Sequence, residues 1–130
     1  MNVVDSSAWL EYFAEGPNAG AFAKAIEDIS RLAVPTIILL EVFKRILVQS
    51  GEEEALEKAL HMKQGLLVPL DEGIAIEAAR IGREWKLPLA DSVILATARL
   101  YGATLWTQDA DFAGMEGVWY YPKRKPEARG

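Results

Sequence analysis

Short apolar runs alternate with longer amphipathic stretches along this chain, and that alternation constrains its fold more than any other feature. Runs of three or four apolar residues suit strands covered on both faces, and apolar positions three and four apart suit helices lying over them. Repeated in alternation they predict an α/β domain with a mostly parallel sheet. Residues 2–4 read as a first strand ending at Asp5, and residues 7–14 as a helix broken by Gly16-Pro17. Ala19, Phe22, Ala23, Ile26 and Ile29 carry helical spacing over 19–30. Leu32-Ala33-Val34 is a second strand closed by Pro35, and Thr36 is placed to cap a helix over 37–49 that Ser50-Gly51 ends. Glu52, Glu53 and Glu54 open a helix to about residue 63, where acidic side chains suit its positive end. Leu66 to Leu70 is a third apolar run, followed by a helix over 72–85 with Ile74, Ala78, Ile81 and Trp85 on one stripe. After the Leu87-Pro88-Leu89 linker a helix spans about 91–101, stopped by Gly102. Thr104–Thr107 and Val118–Tyr121 are the last strands, with a loop or short helix between them. One domain over 1–121 is expected, with a polar, flexible tail over 122–130.

The composition narrows the chemistry. The chain has 130 residues, enough for one domain with a real core, and contains no cysteine and one histidine, His61. Disulfides, thiolate catalysis, cysteine-based zinc sites and multi-histidine metal sites are thereby excluded. No run approaches the roughly 20 apolar residues of a membrane span. Met1 to Asp5 lacks the basic region and long apolar run of a secretory signal, so a cytoplasmic location is expected. A net charge of −5 argues against coating nucleic acid by bulk charge, but leaves room for a local basic rim.

Four carboxylates stand out by placement. Asp5 follows the first strand, Asp109 follows the strand 104–107, Asp91 opens an apolar helix, and Glu41 sits one turn into the apolar run Ile37-Ile38-Leu39-Leu40-Glu41-Val42-Phe43. Each has a plain structural reading: an N-cap for Asp5 and Asp91, a turn residue for Asp109, an ion pair with Lys44 or Arg45 for Glu41. A helix as apolar as that around Glu41 is expected to be mostly buried, so its charge needs a partner or a task. Jointly, strand ends and the starts of following helices lie at the carboxyl edge of a parallel sheet, where such sheets bind ligands. Carboxylates gathered there repel one another unless protonated or bridged by a cation. With oxygen ligands only, the cation is a hard one, Mg²⁺ or Mn²⁺, of the kind that assists phosphodiester hydrolysis.

The stretches Val3-Val4-Asp5-Ser6-Ser7, Pro35 to Glu41, Leu89-Ala90-Asp91-Ser92 and Leu105-Trp106-Thr107-Gln108-Asp109-Ala110-Asp111-Phe112 occur in an order that resembles the PIN domain family. Within it they are most similar to the VapC-type ribonuclease toxins of toxin–antitoxin pairs. The resemblance implies a three-layer Rossmann-like fold, cleavage of single-stranded RNA dependent on Mg²⁺ or Mn²⁺, homodimerisation, and inhibition by a cognate antitoxin. By matching position it implies Asp5, Glu41, Asp91 and Asp109 as the catalytic acids, with Asp5, Asp91 and Asp109 as metal ligands. It implies Ser7 and Thr107 as hydroxyls that orient ligands or water, and Asp111 as an auxiliary acid.

RNA requires basic contacts near the acids, and Lys44, Arg45, Arg80, Arg83, Lys86 and Arg99 are candidates, Lys44, Arg45 and Arg83 foremost, against the plainer reading of solvated helix faces and ion pairs. Trp9, Tyr12 and Phe13 on the first helix suit core packing or a groove for a partner. Two rival functions remain open. One is a phosphatase or receiver-like phosphoryl-transfer domain, although Asp5-Ser6-Ser7 lacks the Asp-x-Asp spacing of haloacid-type phosphatases and no lysine follows Thr107 closely. The other is a catalytically silent interaction module.

Overall fold

In the computed structural model, which describes residues 1–125, five short strands form one parallel sheet. They are β1 (Asn2–Val4), β2 (Leu32–Pro35), β3 (Leu66–Val68), β4 (Thr104–Thr107) and β5 (Val118–Tyr120), in the spatial order β3-β2-β1-β4-β5. Asn2 stands level with Leu32 on one side and Thr104 on the other, so β1 is central and hydrogen-bonded to both neighbours. Six helices flank the sheet: α1 (Ser6–Phe13), α2 (Ala19–Ile26), α3 (Thr36–Ser50), α4 (Glu52–Met62), α5 (Glu72–Trp85) and α6 (Leu89–Leu100). The connections β1 to β2 and β2 to β3 step outward along the sheet, and β3 to β4 steps back past two strands to lie beside β1. Right-handed crossovers that reverse direction leave both sheet faces covered by helices, which is the three-layer α/β arrangement.

Burial explains why the central strands are so apolar. Val3, Val4, Ala33, Val34 and Leu105 are fully enclosed between the helix layers, with Trp9, Phe22, Ile38, Ile94 and Phe112 packed over them. Where water lies on one side the pattern changes: Leu66 and Leu67 of the edge strand β3 are exposed. No helix among the described residues is long and apolar enough to cross a membrane.

Several expectations are corrected. The second helix is shorter than 19–30; it ends at Ile26, and Ile29–Arg31 form a separate short 3₁₀ turn. Thr36 is the first residue of α3, and Pro35, with extended backbone, holds the cap position without any side-chain bond. The α3 helix is not mostly buried. Ile38, Val42 and Ile46 face the interior, while Leu40, Leu47 and Val48 are exposed, Val48 at 78%. Its outer face is apolar too, so apolarity alone overstated its burial. On α5, Ile74, Ala78 and Ile81 are buried as their stripe requires, but Trp85 at the helix end is exposed. Of the tail expected over 122–130, residues 126–130 lie outside the described residues.

On α5, Gly82 is what lets the helix close on α6. A Cβ at Gly82 would fall 2.7 Å from Ser92 Oγ, and Ser92 is buried with its hydroxyl donating to the Pro88 carbonyl at 3.0 Å. Helix propensity alone would make Gly82→Ala stabilising by about 1 kcal/mol. Overpacking of this kind costs roughly 1–3 kcal/mol, so the net expectation is a lower urea midpoint. A raised midpoint would mean that Ser92 turns away freely.

Candidate active site at the carboxyl edge of the sheet

The sheet order brings the ends of β1 and β4 side by side, and the candidate site is built outward from that junction. Asp5 directly follows β1, and its N–H continues the ladder by donating to the Trp106 carbonyl at 2.9 Å. It occupies the cap position of α1, yet its side chain makes no cap hydrogen bond. Instead, Ser7 Oγ and Thr107 Oγ1 each donate to Asp5 Oδ2 at 2.8 Å, which leaves Oδ1 without a hydroxyl partner. Thr107 Oγ1 in turn accepts from the Asp109 N–H at 2.9 Å. One buried hydroxyl therefore ties Asp5 to the segment that presents Asp109. Asp5 is only 2% exposed, and burial pushes its carboxyl above the ordinary range against the pull of the Ser7 and Thr107 hydroxyls.

Asp91 is not a cap. The helix α6 begins two residues earlier, at Leu89, with Pro88 in the cap position, so Asp91 lies inside the first turn with its carboxylate free of capping duty. A carboxylate oxygen from each of Asp91, Asp109 and Asp111 lies within 4.8 Å of the others. Asp109 caps the short 3₁₀ turn Ala110–Phe112 through a bond from the Asp111 N–H at 2.9 Å, which also holds those two acids adjacent. Burial, then the charges of Asp109 and Asp5, then a hydrogen bond to Asp111 that only protonated Asp91 can donate, push the Asp91 carboxyl up to about 7.

Glu41 approaches from α3. It makes no ion pair with Lys44 or Arg45 among the described residues. Its Oε1 is buried without a hydrogen-bond partner. Burial raises its pKa, with the Ser6 hydroxyl opposing and the charges of Asp5 and Asp109 adding to the rise. Glu41, Lys44 and Arg45 line an open groove of about 500 Å³ with Ser6 and Ala90. Arg45 continues into an adjoining groove of about 410 Å³ with Ser7, Gln49, Gln108 and Lys123. Arg83, exposed on α5, lines neither groove.

The structure thus brings Asp5, Glu41, Asp91, Asp109 and Asp111 to one edge, with Asp91, Asp109 and Asp111 the tightest group. Two contributors were not singled out from sequence. Ser6 adjoins Glu41, and Asn18 is buried beside Gln108. Ser6 was within reach as the neighbour of Asp5; nothing local marks Asn18. The donor set fits a hard divalent cation: oxygens only, three of them mutually close, and one carboxyl driven toward neutrality by burial and by the neighbouring acids. Trp9, Tyr12 and Phe13 pack around His61 on the far side of α1, with Trp9 buried and the other two partly so.

The profile of the family described as PIN domain matches residues 3–118. Solved structures of similar shape include a toxin–antitoxin complex from Klebsiella pneumoniae, with 24% identity and a TM-score of 0.81 over 95% of this chain and 100% of that one. DNA-bound VapBC from Salmonella typhimurium shares 16% identity with a TM-score of 0.73, covering 94% of this chain and 98% of that one. VapC20 of Mycobacterium tuberculosis, described as a toxin that cleaves the sarcin–ricin loop, shares 17% identity with a TM-score of 0.71, covering 91% and 98%. At such identities the likeness is one of fold. No curated protein sequence matched the chain.

The raised carboxyl of Asp91 has a consequence for stability. In the folded protein it titrates near about 7, against 3.8 ordinarily, so between those values the folded state holds a proton the unfolded chain releases. Stability from this group is full below the lower value and is lost as pH rises through the upper one. With divalent cations chelated, Asp91→Asn is expected to raise Tm by a few degrees at about pH 8 and to match the parent near about pH 4. Calorimetry in EDTA measures this, and an unchanged Tm at the higher pH would contradict a repulsive cluster.

Proposed function

The chain belongs to the PIN domain family, and from that premise we propose that it is a Mg²⁺- or Mn²⁺-dependent endoribonuclease, the toxin of a VapBC-type pair. The observation that carries this reading is the convergence of five acids from four separate segments on one edge of the sheet. Support for RNA as the substrate class comes from the Mycobacterium tuberculosis relative, described as cleaving the sarcin–ricin loop. Support for an antitoxin partner comes from the toxin–antitoxin complexes among the similar structures.

In this reading Asp5, Asp91 and Asp109 hold the cation, and Asp111, whose carboxylate lies within 4.8 Å of those of Asp91 and Asp109, is close enough to those two to join them. A bound divalent cation lowers the pKa of a coordinated water and offsets charge developing on the phosphate. Ser7 and Thr107 orient the Asp5 carboxylate by both donating to the same oxygen. Glu41, whose buried oxygen has no partner and whose pKa is raised, is suited to accept a proton from the attacking water. Lys44 and Arg45 line the groove beside Glu41, where they can meet the phosphates of a single strand. Arg83 lies outside that groove.

The proposal includes protein partners, a cognate antitoxin and a second copy of the chain. Exposed apolar residues are consistent with both. Leu39, Leu40, Phe43, Leu47 and Leu56 line a groove of about 650 Å³ between α3 and α4, and Leu89 at the start of α6 is 85% exposed.

The test is incubation of the purified chain with a mixed RNA pool, with and without Mg²⁺ or Mn²⁺, followed by mapping of the cut ends. Cleavage only with the cation is expected. Asp5→Asn is expected to lower it by more than the roughly 10–100-fold typical of losing an outer-shell partner of a metal site. Metal-dependent cleavage that survives Asp5→Asn would falsify the assignment. Cation binding without cleavage would favour a silent interaction module.

A further inference from the structure

We propose that Asn18 is a positioning residue for the cation site, acting through Gln108 and held from behind by Arg124. This goes beyond the acids themselves and rests on the proposed cation site. Asn18 lies in the turn before α2, remote in sequence from every acid, yet it is 3% exposed. A buried amide must spend its donors and acceptor on protein groups, and Asn18 does so across the fold. Its Nδ2 donates to Gln108 Oε1 at 3.1 Å and to the Pro122 carbonyl at 2.9 Å. Its Oδ1 accepts from Arg124 Nε at 2.9 Å, and the Arg124 guanidinium also donates to the Pro17 carbonyl. The Asn18 N–H donates to Glu11 Oε2 at 2.9 Å. Flipping the amide would set its NH₂ against the arginine donor, so the orientation is fixed by the partners.

What Asn18 holds is the segment that matters for the acids. Gln108 is buried between Thr107, whose hydroxyl donates to Asp5, and Asp109. Gln108 also reaches Ser7, whose hydroxyl is the other donor to Asp5: its N–H approaches Ser7 Oγ and its Nε2 approaches the Ser7 carbonyl, each at 3.5 Å. Both hydroxyls on Asp5 therefore touch or adjoin a residue whose side chain Asn18 pins. These contacts to Ser7 are long, and the one bond from Asn18 is shorter at 3.1 Å, so the side chain of Gln108 is anchored chiefly from the Asn18 end. Without that anchor, the buried Gln108 side-chain carbonyl loses its donor, and the chain just past β4 loses one of the restraints that set where Ser7 and Asp109 stand. The Thr107 hydroxyl still joins Asp5 to Asp109, so the expected effect is a loosened geometry and not its loss. Partners behind metal ligands tune affinity in this way, with losses of roughly 10–100-fold when they are removed.

The measurement is Mn²⁺ binding to the full chain, by calorimetry and by the electron paramagnetic resonance of free Mn²⁺, well below the melting temperature. Asn18→Leu keeps the volume and removes the amide. Asn18→Asp keeps the acceptor for Arg124 and removes both donations. Each is expected to weaken Mn²⁺ binding about tenfold or more, and Gln108→Leu added to either is expected to weaken it little further, because all act through one chain of bonds. Should Asn18→Leu fail to fold, Asn18→Asp carries the test. A purely structural role would lower Tm in EDTA and leave the Mn²⁺ affinity of the folded protein unchanged; that result overturns the proposal. Losses from Asn18→Asp and Gln108→Leu that simply add would overturn it as well. If the parent chain takes up no Mn²⁺, the cation site itself fails and this role with it, whereas parent binding that both variants retain overturns the positioning role alone.

Discussion

A carboxylate enclosed at the end of the central strand is the constraint around which the site is arranged. Asp5 is almost wholly shielded from water, and a charge so placed requires compensation from fixed dipoles or from a countercharge. Two hydroxyls supply part of it, both on one oxygen. They do not suffice, because burial still pushes its pKa upward. The neighbouring acids add repulsion rather than relief. The unmet demand is for positive charge at this edge, which is why a cation accounts for the arrangement better than any set of internal bonds among the described residues.

Much of the fold is legible from sequence because strand and helix periods differ and the strands are covered on both sides. β1, β2, β4 and β5 fall where their apolar runs place them, and the helices fall between them. That Asp5 and Asp109 lie at the same edge follows from all strands running parallel. That they are neighbours does not. It depends on β4 inserting beside β1, a pairing between segments about a hundred residues apart that no local pattern encodes. The roles of side chains at helix starts were equally hidden. Asp5 and Asp91 both have the residue type of a cap, and in both the carboxylate is withheld from capping. Only the position of the first helical turn relative to Pro88 distinguishes an Asp91 that closes a helix from one that faces other acids.

The apolar run around Glu41 misleads in an instructive way. A run of apolar residues predicts burial, yet only Ile38 and Val42 of this run are buried; Leu40 is exposed and the others are half-buried. The charge on Glu41 matters because one of its oxygens is enclosed, not because its helix is. Asn18 is the opposite case: a polar residue in a turn, unremarkable in its local sequence, whose importance arises from partners roughly 90 and 106 positions away. Buried polar networks of this sort are written in tertiary contacts, and local propensity carries no trace of them.

In the proposed reading, charge distribution has to reconcile an acidic chain with a polyanionic substrate. With a net charge of −5 the chain as a whole repels RNA, and the acids at the sheet edge concentrate that repulsion where a phosphate would have to sit. A divalent cation bound there would offset part of that negative charge where the phosphate has to sit. Arg45 then borders the approach from both adjoining grooves, with Lys44 on one side and Lys123 on the other. None of these three forms an ion pair among the described residues, so in the proposed reading their charge is available to a strand. In the proposed reading, affinity for RNA is therefore conditional on the cation twice over: for chemistry, and for making the site approachable by a phosphate at all.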